Sequence, residues 1–161
     1  MRRPTGATTR IALAVVAAIS LVSAAACGEY TVPITDQPTR KVDRQLIGEW
    51  VSLDGVDVIK ILQLTDSTYI ASYNGAIFRA FHSDVAEVQF LSVQELETGH
   101  RIYSYASYRL SSDGNKLYLR LVNEEVIPED TDDSVVIQKL LIKNLQNPAL
   151  FNSEEEFRRQ P

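Results

Sequence analysis

The chain is poor in sulfur, with one cysteine and one methionine in 161 residues. A single cysteine cannot close an intramolecular disulfide, so the fold must rest on burial and hydrogen bonding. Metal sites built from several thiolates are excluded on the same ground. There are only two histidines, His82 and His100, and no H-x-x-x-H or H-E-x-x-H spacing joins them. They read as loop histidines satisfied by backbone or water. No serine lies in G-x-S-x-G, and no glycine loop of the phosphate-cradling kind is present. The acidic run Glu129 to Asp133 lacks the glycine and the closing glutamate of a calcium loop. Carboxylate runs such as Glu124-Glu125 and Glu154-Glu155-Glu156 read as solvated faces. No catalytic residue, metal ligand set or cofactor is therefore assigned, and a non-enzymatic role is expected.

Acidic residues are missing from the first 26 positions, where Arg2, Arg3 and Arg10 carry all the charge. Long hydrophobic runs are missing too. The leading uncharged run, Ile11 to Ala26, is 16 residues, short of the roughly 20 that span hydrocarbon. A basic start, a mildly apolar centre and a small-residue exit form the layout of a secretory signal peptide, residues 1–26. Losing those three arginines takes the formal charge from −5 to −8. A mature domain that acidic does not recruit nucleic acid through its net field.

What is present at the leader's end is the lone thiol, in Ala24-Ala25-Ala26-Cys27. Small residues before a cysteine at that point resemble the lipobox of bacterial lipoproteins. The resemblance implies cleavage after Ala26 and a diacylglycerol on Cys27. Ordinary signal-peptidase cleavage after Ala26 fits Ala24-x-Ala26 as well. Lipid on Cys27 implies a membrane-tethered domain in the cell envelope. In the lipoproteins, Gly28 in place of aspartate leans toward the outer membrane where the cell has one. Residues 27–45 are expected to be the lipidated N-terminus and a flexible spacer, polar and broken by Pro33 and Pro38.

The folded domain is expected over 46–161. Short β-rich runs fall near 48–53, 57–64, 68–73, 76–81, 86–94, 101–110 and 116–123. Asn74-Gly75 is the strongest hairpin signal. Leu117, Leu119 and Leu121 alternate with Lys116, Tyr118 and Arg120, which predicts one buried and one wet face. Val88 and Phe90 share one face while Leu91 and Val93 share the other, which predicts a bulge or a strand buried on both sides. Helical spacing takes over near 132–146, with Asp132 or Asp133 as cap and Asn147-Pro148 as stop. The tail is expected to run extended across the sheet, anchored by Leu150 and Phe151. The fold class is mainly β: an antiparallel meander or barrel with one C-terminal helix.

Leu46-x-Gly48-x-Trp50 opens the domain. G-x-W at the first strand resembles the lipocalins and implies a lipocalin-like β-barrel whose end the tryptophan closes. The same opening, the run Phe81 to Gln94, the hairpin Tyr108 to Leu119 and the ending Asn147 to Phe151 together resemble a family of uncharacterised bacterial lipoproteins and secreted proteins. That likeness carries no activity. The expectation is a lipoprotein that binds a small apolar ligand or an envelope protein. The alternative is a structural or assembly subunit docking through its helix or an open sheet edge. Tyr103, Tyr105 and Tyr108, with Tyr69 and Tyr73, suit either a binding surface or a core edge.

Overall fold

In the computed structural model, residues 29–97 and 99–161 are described. Ala26 and Cys27, and with them the leader and the lipid site, lie outside that range. Eight strands follow in order: β1 (Gly48–Ser52), β2 (Val58–Gln63), β3 (Thr68–Tyr73), β4 (Ala76–His82), β5 (Phe90–Glu95), β6 (Ile102–Leu110), β7 (Lys116–Leu121) and β8 (Glu155–Arg159). Each pairs antiparallel with the next, and β8 pairs with β1, so the meander closes into a barrel. A 3-10 turn (Arg44–Leu46) precedes β1, and one helix, α1 (Ser134–Asn144), lies between β7 and β8. The mainly β fold with a helix near the C-terminus is as expected. The tail is more than an extended anchor. Its alternation places Phe157 inside and makes it the closing strand. With all ladders paired, the sheet has no free edge for a docking partner.

The local choices follow from residue chemistry. Asn74 and Gly75 both have positive φ, as the tight β3–β4 turn requires. Asp133 caps α1, its side chain accepting the N–H groups of Val135 and Val136. The 86–94 run starts later than expected. Ala86 and Glu87 sit at positive φ in a tight turn closed by Val85 and Val88, and β5 begins at Phe90. Neither residue type favours that conformation, so the sequence carries no signal for the turn. Past it, Phe90, Leu91 and Ser92 are all buried. The strand is covered on both faces, which accounts for the change of phase.

Two apolar clusters result. Trp50, Ile59, Tyr69, Leu91, Tyr108, Leu117 and Phe157 belong to the one inside the barrel. Phe81, Phe90, Tyr103 and Tyr105 belong to the other, outside it, beneath Ile137 and Leu141 of α1. Tyr30 and Ile34 join that outer cluster and are almost fully buried, at 1% and 0% exposure. Tyr30 exchanges two backbone hydrogen bonds with Tyr103. Residues 29–45 are thus a strap against the barrel and not a flexible spacer. Pro33 and Pro38 break its periodicity, but Tyr30, Val32 and Ile34 supply apolar anchors that outweigh the polar remainder.

One end of the barrel is sealed. Trp50 is fully buried and donates Nε1–H to the Leu46 carbonyl at 2.9 Å. The Arg159 guanidinium lies 4.2 Å over the Trp50 ring and donates to the carbonyls of Ile47, Gly114 and Gln45. Gly48 makes room for it: a Cβ there would come within 2.6 Å of Arg159 Nη1, and its φ of +147° disfavours side chains. Gly48→Ala should destabilise the fold by about 1–3 kcal/mol through strain and displacement of the guanidinium. Urea unfolding of the two forms measures this; an unchanged midpoint would remove Gly48 from the clamp.

Candidate functional site

Alternation along eight strands points one residue in two into the barrel. Because many of these are Ala, Val, Ile or Leu, the interior is not filled. A lumen of about 320 Å³ remains, walled by Ile59, Ile61, Ala71, Phe78, Ala80, Leu91, Val93, Ala106 and the three alternating leucines of β7. Tyr69, Tyr108 and Leu46 line it toward the sealed end. Tyr73, Asn152, Ser153 and Glu155 line it toward the opposite end, where β3 ends and β8 begins. That second end is the mouth.

Under the floor lies a polar cluster. His82, at the end of β4, is fully buried. Arg40 Nη2 donates to His82 Nδ1 at 3.0 Å and to the Tyr108 hydroxyl at 3.1 Å. A guanidinium has no acceptor, so Nδ1 carries no proton and His82 is the neutral Nε2–H tautomer. That N–H donates to the Tyr69 hydroxyl at 2.8 Å. Tyr69 also accepts the Asp43 N–H at 2.5 Å, and Tyr108 donates to Asp43 Oδ2 at 3.2 Å. Asp84 faces Arg40 Nε at 3.1 Å. Burial, then the Arg40 charge, brings His82 down to about 4. Burial chiefly pushes Tyr69 up to about 12 and Tyr108 higher still. Each side chain has a partner, although Arg40 Nε and Asp84 Oδ1 are buried without a hydrogen bond, and the strap that supplies Arg40 and Asp43 is stitched to the barrel floor.

The residues singled out from sequence scatter accordingly. His82 is a buried strand-end histidine held by side chains, not a loop histidine satisfied by backbone or water. His100 is exposed on the β5–β6 connection. The tyrosines divide by parity: Tyr69, Tyr73 and Tyr108 face the lumen, while Tyr103 and Tyr105 lie in the outer core. Asp133 is spent on its helix cap. Three features had escaped the sequence reading: the floor cluster, the strap and the inward aim of Glu155. The odd-even pattern Glu155-Phe157-Arg159 was the available signal for the last. No family model, curated protein or solved structure matches the chain.

His82 makes stability pH-dependent. Its folded-state value lies below the ordinary 6.5, so the unfolded chain takes up the proton first as pH falls. The contribution is complete above about 6.5 and is lost between there and about 4. The loss reaches about 3 kcal/mol at most. Asp84, raised chiefly by burial, protonates more readily when folded and opposes the trend at the acid end. Urea midpoints at pH 7, 5.5 and 4.5 should fall for the native chain and flatten over that window in His82→Gln. Parallel slopes in both would contradict the assignment.

Proposed function

We propose that the protein is a non-enzymatic binding module of the cell envelope, tethered by lipid on Cys27 and taking a small apolar molecule into the barrel. The observation that carries this reading is the open, apolar lumen of about 320 Å³. It lies at the lower end of the roughly 300–1,000 Å³ range of small-molecule sites. At about 30 Å³ for each water-sized group, it holds about ten such groups. A two-chain lipid is too large for it. A single aliphatic chain or a small ring system matches.

The strap bears on where the mouth sits. Tyr30 docks beside Tyr103, the second residue of β6, at the mouth end. Tyr30 is only three positions after Cys27, a reach of about 10 Å. Six-residue strands are about 20 Å long. A lipid on Cys27 therefore keeps the mouth nearer the bilayer than the sealed end. Leu53, Val56 and Leu96 are exposed on the β1–β2 and β5–β6 connections around the mouth. An apolar rim of that kind suits exchange of cargo with lipid.

A second reading, a subunit that docks on an envelope partner, draws on Val135, Val136 and Ile142, exposed on the outer side of α1. It does not use the lumen. Recovery of a cross-linked partner through those three positions, together with a lumen that binds nothing, would favour it.

Two measurements test the leading reading. The Cys27→Ala chain should bind the neutral fluorophore N-phenylnaphthylamine, and adding Ala71→Trp inside the lumen should weaken binding at least about tenfold. Equal binding by both would place the probe elsewhere. In vesicles with brominated acyl chains, a fluorophore at Val56 of the lipidated protein should be quenched and one at Asp113, beside the sealed end, should not. Equal quenching would sink the orientation, and membrane retention of Cys27→Ala would sink the tether.

A further inference from the structure

Glu154, Glu155 and Glu156 are consecutive, yet the pleat gives them different surroundings. Glu154 points outward and takes two bonds from Arg109, at 3.1 and 2.6 Å. Glu156 points outward and pairs with Lys116 Nζ at 2.8 Å. Those cations hold both carboxyls below their ordinary range. Glu155 points inward, cross-strand from Leu119, and lines the lumen at its mouth. It has no hydrogen-bonding or ion-pair partner among the described residues. Glu155 is exposed to solvent on its outer side; partial desolvation against the lumen, then Asp57, pushes its carboxyl up.

Among the described residues, no cation on the inward register answers it. On that register the acidic side chains are Glu155 and Glu95, both at the mouth end of their strands. The one guanidinium, Arg159, belongs to the sealed end, stacked on Trp50 and bonded to three carbonyls. Asp57 stands at the mouth with Tyr73, whose hydroxyl is pushed up to about 12 by burial and by Asp57 and Glu155. Arg101 is on the β5–β6 connection at this end but does not line the lumen. An apolar cavity whose only charged lining residue, among those described, is a carboxylate favours one polarity of cargo. A carboxylate or phosphate head would meet repulsion and no counter-ion. A protonated amine would supply the missing charge and stay at the water boundary while its apolar body enters.

We infer that the lumen selects small single-chain or ring-bearing amines, with the apolar body among the lumen side chains and the cationic nitrogen on Glu155 at the mouth. This rests on the reading of the lumen as a binding site. It adds the head-group class and assigns Glu155 as the specificity-determining residue.

Competition against N-phenylnaphthylamine separates the two claims in the Cys27→Ala chain, which needs no detergent. Decylamine should displace the probe at about tenfold lower concentration than decanol, and decanoate should require more than either. Glu155→Gln should bring decylamine and decanol together. Glu155→Lys should reverse the order of amine and decanoate. Glu156→Gln, on the outward face, should leave the preference intact. Equal displacement by decylamine and decanol in the parent chain, or an amine preference that survives Glu155→Gln, overturns this inference while the lumen stands. If the probe fails to bind the parent chain at all, the lumen reading itself falls, and this inference with it.

Discussion

Closure of the sheet through β1 and β8 is the constraint on which the rest depends. The two strands are about a hundred residues apart in sequence, and their ladder is short: Trp50 opposes Arg159, and Ser52 opposes Phe157. What secures it is the seat of Arg159, stacked on Trp50 and holding three carbonyls from two loops. Those charge-assisted bonds tie the strap's end and the β6–β7 connection to the end of β8. Gly48 is required because the same guanidinium occupies the space of its missing Cβ. Without closure there would be two sheet edges and no enclosed lumen.

A closed sheet has two faces, and this one buries much of both. Inside, small and branched residues leave space. Outside, aromatic residues of β4, β5 and β6 are covered by α1 and by the strap from Tyr30 onward. The strap serves two ends of the molecule at once. It begins beside β6 at the mouth and ends under the floor, where Arg40 and Asp43 complete the bonding of His82, Tyr69 and Tyr108. The barrel is therefore asymmetric in its electrostatics. At the sealed end the side chains of the floor cluster partner one another, and at the mouth Glu155 has no partner among the described residues. Buried groups of the first kind hold a structure together.

Several elements could be read directly from the chain because their causes are local. Asn74-Gly75 dictates a tight turn by its tolerance of positive φ. Asp133 caps the helix that begins at the next residue, Ser134. Leu117, Leu119 and Leu121 declare the inward face of β7, and the Val88/Phe90 and Leu91/Val93 phases both proved to be buried faces. The Ala86-Glu87 turn was not legible, since neither residue type prefers the backbone it adopts. Nor was the strap. A polar segment with two prolines gives no hint that Tyr30 will stack on Tyr105 with ring centroids 4.0 Å apart.

The chain by itself determined the strand count to within one, the helix and the motif around Cys27, because each depends on neighbours in sequence. Tertiary structure alone decided which face became the lumen and that residues 155–159 would close it. It also decided that His82 would be neutral and bonded on both nitrogens. Of three adjacent glutamates, only Glu155 was left facing an apolar space. These outcomes depend on pairings between residues tens of positions apart, and no local pattern encodes which strand will lie beside which. In β8 the pleat alone separates a paired carboxylate from an unpaired one, and its phase is set by a partner strand more than thirty residues away.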